Sequence, residues 1–357
     1  MKTSLDHRAA RGLKKLAALL LLLPLLCACG CALVDGASGL SRYQASYLDV
    51  FDTATILTVY APDEAQADAW LEETHALLLQ YHRLYDIYNS YDGLSNARTV
   101  NENAGVAPVR ADTALVELVL YAKDMYALTG GRMNIALGSV LSIWHEYREA
   151  GLENPDGAQL PPMEALEEAA RHADIEDVVV DEAAGTIYLA DPKMSLDLGA
   201  IAKGYAAQKV ANEMEKRGVS SMLLSVGGNV VAIGARTDGK DWKVEVQSPY
   251  GGEALYLLNV NGLSVVTSGS YQRYYTVDGA RYHHIIDPAT LMPALYYDSV
   301  TVLSADSSLA DALSTALFCL PPEESQALAT RAGVDVLWVA TDGAQTMTEG
   351  FRAKLTN

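Results

Sequence analysis

The sequence has 357 residues, half of them apolar, and a formal charge of −19 at neutral pH. Residues 1–28 hold five basic residues and one acidic, which leaves the remainder near −23. So acidic a body excludes nucleic acid as a natural partner, and an anionic ligand would need a metal ion, helix N-termini or backbone amides to hold it.

The chain opens on a basic segment (Lys2, Arg8, Arg11, Lys14, Lys15) followed by an apolar run from Leu16 to Leu26. That run is shorter than the roughly 20 residues a membrane span needs, so it reads as a signal peptide. Leu26, Cys27, Ala28 and Cys29 resemble the bacterial lipobox, with Cys31 a second possible acceptor of lipid. The expected organisation is a lipoprotein signal peptide over 1–28, a flexible tether over 29–45 and a folded domain over 46–350. Lipid on Cys29 (or Cys31) would fix it to the outer face of the cytoplasmic membrane. The competing reading is an ordinary signal peptide with incidental cysteines. Cys319, alone in the body, cannot form an internal bridge, and "ALFCL" predicts it as buried packing.

"FDTATILTVYA" alternates and predicts a strand over 51–60, and Pro62 and Asp63 open a helix over 64–83. An aromatic tract, "YHRLYDIYNSYDG", follows. A second helix over 112–127 stops at Gly130 and Gly131. "NIALGSVLSIWHEYREAG" predicts a buried turn and a short helix, residues 154–162 a surface loop, and "MEALEEAARHA" a short exposed helix. "DVVVD" and "TIYLA" pair as a hairpin. "MSLDLGAIAKGYAAQKVANEMEKRG" predicts strand, glycine turn and capped helix, and "MLLSVGGNVVAIGA" strand, turn, strand. Further strands are expected at about 242–247, 255–260, 272–277, 281–286, 297–304 and 335–340, with helices over 307–319 and 322–332 before the last. So many hairpin-linked strands among helices indicate an α+β fold rather than a doubly wound sheet.

Four stretches could carry chemistry. In "DLGAIAKG", Asp197 ends a strand and a helix opens near Ala200–Gly204, where a phosphate would be welcome and Lys203 would add charge. The same residues also suit a plain strand-to-helix turn. "SVGGNVVAIG" lacks the G-x-G-x-x-G spacing and precedes a strand, so it is not a dinucleotide fingerprint; Gly227 and Gly228 would instead admit a close neighbour. Asp311 and Thr315 lie one helical turn apart and offer hard oxygens suited to Mg²⁺, unless Asp311 merely sits near a helix start. "ARYHHIIDPATLMP" (280–293) reads as a strand end entering an Asp-Pro turn. Its two histidines are adjacent, not i, i+4, which leaves the choice between turn and site open.

Taken in order, "SLDLGAIAKGYA", "LLSVGGN", "VVTSGSYQRYY", "YHHIIDPAT" and "ADALSTALF" resemble the signature segments of the ApbE family, the FAD-dependent protein FMN transferases, often bacterial lipoproteins. "TGGRMNIALGSVLSIWHEY" and "YDIYNSYDGLSNARTVNENAG" extend the resemblance to about 50–345. It implies the ApbE-like fold, mixed or antiparallel sheets with packed helices, in a single catalytic unit of two subdomains. It implies that FAD is split at its pyrophosphate, AMP is released, and FMN is joined by a phosphoester to a Thr (or Ser) of a target protein. Mg²⁺ would be held by Asp311, Thr315 and the carbonyl of Ala200. FAD would meet Met133, Asn134, Asp197, Lys203 and Ile285, Tyr88 would stack on one of its rings, and His284 would be the general base.

The chain departs from the family pattern in three places. Phe51, Asp52 and Thr53 replace Met-Gly-Thr, which weakens any FAD contact there. Asn134 replaces an Asp, and Leu291 replaces a Gly, so that turn is expected to close differently. An FAD pyrophosphatase, with water in place of the hydroxyl, and a non-catalytic flavin-binding lipoprotein are the competing functions.

Overall fold

Tyr43, Ala45 and Tyr47 alternate onto the core, and that period of two makes a strand where the sequence suggested a tether. The computed structural model describes residues 39–356. Its first strand, β1 (Ser41–Val50), pairs antiparallel with β2 (Thr53–Ala61), so residues 41–45 belong to the fold. The signal peptide, Cys29 and Cys31 lie outside the described residues. Val50 pairs with Thr53 across a two-residue turn in which Phe51 and Asp52 both have φ of 51°. The predicted strand therefore starts two residues late.

Helix α1 (Glu64–Tyr85) is capped by Asp63, whose carboxylate accepts the Gln66 N–H at 2.8 Å. Then come α2 (Ala97–Glu102), β3 (Val109–Arg110) and α3 (Thr113–Thr129), the last ended by Gly130 at φ 60°. Helix α4 (Gly138–Glu153) runs 16 residues, longer than expected, and α5 (Met163–Ala170) follows the surface loop. Strands β4 (Val178–Asp181) and β5 (Thr186–Leu189) form the predicted hairpin. "MSLDL" is not a strand. Ser195 makes one isolated bridge to Leu137, and the chain turns through Asp197 into α6 (Ala202–Lys216), which has no side-chain cap.

Strands β6 (Met222–Val226) and β7 (Asn229–Ile233) flank the Gly227–Gly228 turn. A second hairpin, β8 (Trp242–Val246) with β9 (Tyr256–Val260), precedes β10 (Ser264–Gly269). A third pairs β11 (Tyr274–Val277) with β12 (Ala280–His283). The chain ends with β13 (Tyr297–Ser304), α7 (Ser307–Phe318), α8 (Pro322–Ala332), β14 (Asp335–Ala340), β15 (Gln345–Met347) and α9 (Glu349–Ala353).

Eight strands form one sheet in the order β1-β2-β6-β7-β10-β13-β14-β15, with every neighbouring pair antiparallel. Leu57 and Val59 of β2 point to one face, against Leu71 and Leu78 of α1 and Val210 and Met214 of α6. Tyr60, pointing the other way, packs with Trp242, Val244 and Phe351. A third cluster joins α3 and α7, with Cys319 fully buried in it as inert packing. A fourth gathers Trp144, Leu166, Tyr275 and Leu291. The described residues pack as one unit, and the expected two subdomains are not separate bodies. The architecture is α+β.

Candidate active site

Where the sheet's β2, β6–β7 and β10 ends meet the start of α6, the face of α7 and the β11–β12 hairpin, they enclose a cavity of about 510 Å³. That is within the size of small-molecule and cofactor sites. All ten residues singled out from the sequence line it: Tyr88, Met133, Asn134, Asp197 and Ala200 together with Lys203, His284, Ile285, Asp311 and Thr315.

The floor is the contact of α6 with α7. Gly204 has no Cβ because one would lie 2.3 Å from Asp311 Cβ and 2.4 Å from the Ser307 carbonyl oxygen. So close an approach lets the Gly204 N–H donate to Asp311 Oδ2 at 2.7 Å. Gly204 stands in the first turn of α6, where backbone N–H groups have no acceptor within the helix, and the Asp311 carboxylate takes this one. Thr315, one turn beyond Asp311, has its hydroxyl 3.5 Å from Ser268 Oγ.

Burial raises the Asp311 carboxyl above its usual range, against the pull of Lys203 and the Gly204 N–H. Asn229 Nδ2, buried on the same cavity wall, completes no hydrogen bond, although its amide lies near enough to favour the ionised carboxylate. A buried carboxylate, a hydroxyl and the carbonyl of Ala200, in the turn before α6, are hard oxygen donors, and they fit Mg²⁺. Among the described residues no three His, Cys, Asp or Glu side chains gather to hold an ion. A metal here would rest on these oxygens and on those of its ligand.

Asp197 also lines the cavity, its N–H donating to Ile135 O at 2.8 Å and its Oδ1 accepting the Gly199 N–H at 2.8 Å. Desolvation raises its pKa too. Lys203 Nζ donates to Gly199 O at 3.3 Å. Met133 is buried, and Asn134 lines the cavity with its amide already engaged: Nδ2 donates to Ala173 O and Oδ1 accepts the Ala136 N–H, each at 2.9 Å. Asn134 therefore shapes the turn into α4, a task that needs an amide donor an Asp would lack.

The adjacent histidines separate cleanly. His283 Nε2–H donates to Ala294 O at 2.8 Å and its Nδ1 accepts the Ile285 N–H at 3.2 Å, so both nitrogens are occupied. His284 gives Nδ1–H to Arg273 O at 3.2 Å, which leaves the Nε2 lone pair as its proton acceptor. Burial, then the neighbouring Arg273, push His284 down to about 3, so the ring is neutral.

Sequence reasoning missed several lining residues. Arg273, Arg148 and Arg132 bring positive charge into the cavity of an acidic protein; Arg132 is paired with Asp287 at 2.7 Å and Arg148 donates to His145 Nδ1 at 2.7 Å. Arg273 was visible in "SYQRYY" as a lone cation among aromatics. Asn101, which grips Leu196 through N–H and carbonyl at 2.7 and 3.0 Å, carried no signal. Phe51, Asp52 and Thr53 line the cavity despite departing from the family pattern. Leu291 also corrects an expectation. Its φ is 60°, so the turn closes in the left-handed form a glycine would adopt, held by the Leu291 N–H to Asp287 O at 2.8 Å and by Trp144 Nε1–H to Leu291 O at 2.9 Å.

Comparison with known proteins agrees with this geometry. Residues 51–338 match the model of the ApbE family. An FAD:protein FMN transferase of Treponema pallidum is 35% identical over 332 residues, covering 88% of this chain and 89% of its own. One from Klebsiella pneumoniae is 33% identical, covering 80% and 85%. The crystal structure of the ApbE protein of Thermotoga maritima superposes with a TM-score of 0.77 at 26% identity, covering 88% of this chain and 100% of that one. With the signature segments drawn into one cavity and the match running through nearly all the described residues, the chain belongs to the ApbE family.

Proposed function

We propose that this chain, a flavin transferase by family, moves FMN from FAD to a Thr (or Ser) hydroxyl of an acceptor protein, releases AMP, requires Mg²⁺, and works outside the cytoplasmic membrane on a lipid anchor at Cys29 (or Cys31). The observation that carries the reading is the shared cavity, which Asp311, Thr315 and Ala200 line together with His284. The relatives at 35% and 33% identity bear the name of this reaction.

In this reading Lys203, Arg273 and Arg148 draw the anionic dinucleotide into the cavity, and Tyr88 and Met133 offer apolar surface to its rings. His284 Nε2 takes the proton of the acceptor hydroxyl as its oxygen attacks the phosphorus of the FMN half. The bond from that phosphorus to the bridging oxygen breaks, and AMP leaves with the electron pair. Mg²⁺ bound at Asp311, Thr315 and Ala200 would supply charge neutralisation of the pyrophosphate. Arg273 fixes the His284 tautomer through its carbonyl oxygen.

Asp311→Ala is expected to lower Mg²⁺-dependent AMP release by more than about 100-fold, the scale of losing a charge-stabilising group. Undiminished release would remove the metal assignment. The anchor is tested by fractionating cells: replacing Cys29 and Cys31 with Ser should free the protein from membranes, and unchanged membrane association would contradict it.

A further inference from the structure

The β1–β2 turn places two non-glycine residues, Phe51 and Asp52, in the left-handed region, on the wall of the cavity. Such strain persists only where surrounding contacts over-determine it. The contact here is His82. The Phe51 N–H donates to His82 Nδ1 at 3.1 Å, and the Phe51 ring meets the imidazole edge-on at 5.6 Å. An amide N–H can only donate, so Nδ1 is the acceptor and the neutral ring carries its hydrogen on Nε2. His82 Nε2 faces Tyr91 Oη at 3.4 Å. Tyr91 in turn gives its hydroxyl hydrogen to Asp86 Oδ2 at 2.7 Å.

Asp86 gathers the far end. Its Oδ1 accepts the N–H groups of Tyr88 at 2.6 Å and Asn89 at 3.0 Å, and its Oδ2 accepts Asn89 Nδ2 at 2.9 Å. Despite burial, these donors and Tyr91 hold the Asp86 carboxyl below its usual range. Desolvation and Asp86 push the Tyr91 phenol up to about 12, so it stays a donor. Every hydrogen points one way, from the strained turn to the carboxylate. Tyr88 is 56% exposed. Its place on the cavity wall is set by the backbone bonds to Asp86, together with Arg98, which donates to the Tyr88 carbonyl, and the His145 ring 5.7 Å away.

We propose that His82, Tyr91 and Asp86 form a positioning relay that locks the Phe51–Asp52 turn and the Tyr88 loop together as one wall, against which a planar ring of the flavin nucleotide lies. The proposal rests on the cavity being the FAD site. His82 and Asp86 also border the cavity, and the relay shapes its wall through Phe51 and Tyr88.

Tyr91→Phe removes one oxygen, keeps the ring, and severs both central links. FAD binding, measured by calorimetry without divalent metal, should weaken by about tenfold, while kcat at saturating FAD stays within about twofold. His82→Gln, which can accept from Phe51 and donate to Tyr91, should bind FAD within about threefold of the unmodified protein; His82→Leu should not. In a Tyr88→Ala background the loss from Tyr91→Phe should shrink to about threefold or less, as expected for residues acting through one another. Unchanged FAD affinity in Tyr91→Phe, or an undiminished loss in the Tyr88→Ala background, overturns the relay and leaves the FAD site standing. An unmodified protein that binds no FAD overturns the proposed function and the relay with it.

Discussion

At the scale of residues, the two adjacent histidines show how backbone partners decide chemistry. His283 spends both nitrogens on Ala294 and Ile285, whereas His284 spends one on Arg273 and keeps the other for the cavity. The sequence could name the pair but not divide it, because the division depends on carbonyls eleven residues away on either side. A free imidazole titrates near 6.5, and in the fold His284 is pushed down to about 3. Between those values the unfolded chain takes up a proton that the folded chain refuses. His284 thus costs the fold nothing above about pH 6.5 and destabilises it increasingly as pH falls toward 3. His284→Gln should therefore lose less melting temperature than the unmodified protein between about pH 7 and pH 4. An equal loss would contradict the burial of the neutral ring.

At the same scale, Asp52 and Leu291, where the resemblance leads one to expect glycine, occupy left-handed positions. The family pattern flagged both positions, but not that the backbone keeps the glycine conformation under a side chain. Leu291 is held there by burial against Trp144, a contact between residues 147 apart that no local pattern reveals.

At the scale of elements, helix periodicity and turn residues located α1, α3, α7, α8 and the β6–β7 hairpin to within a few residues. The pieces lost were those whose order comes from distant partners. Residues 41–45 of β1 read as tether because the strand's polar face hides the alternation, and "MSLDL" reads as a strand although Asn101 and Ile135, not a sheet, receive its backbone. The contact of α6 with α7 is where element packing makes the site. Gly204→Ala would force a Cβ against Asp311 Cβ and Ser307 O, with backbone on one side and no room to yield. It should destabilise the protein by about 1–3 kcal/mol, as overpacking does. Because the same shift moves the N–H that holds Asp311, Mg²⁺-dependent turnover should fall by more than about tenfold. Unchanged melting and turnover would show that the helices do not depend on this approach.

At the scale of the molecule, a chain of net charge −19 places arginines and a lysine around one cavity, where they attract an anion. All ten residues singled out from the sequence reach that cavity, although they come from segments spread between positions 88 and 315. Ordered motifs made them legible together; taken singly, each had an ordinary structural explanation. The roles of Asn101 and of the Phe51 turn were not legible, since each acts through one distant partner, Leu196 and His82. Among the described residues no helix is long and apolar enough to cross a membrane. The central claim is transfer of FMN to protein, and intact-mass measurement tests it most directly. The protein, FAD and Mg²⁺ are incubated with an acceptor domain presenting a Thr. The account predicts that the acceptor gains the mass of one FMN less water, in step with AMP release. An acceptor of unchanged mass beside free FMN and AMP, or beside intact FAD, would contradict it.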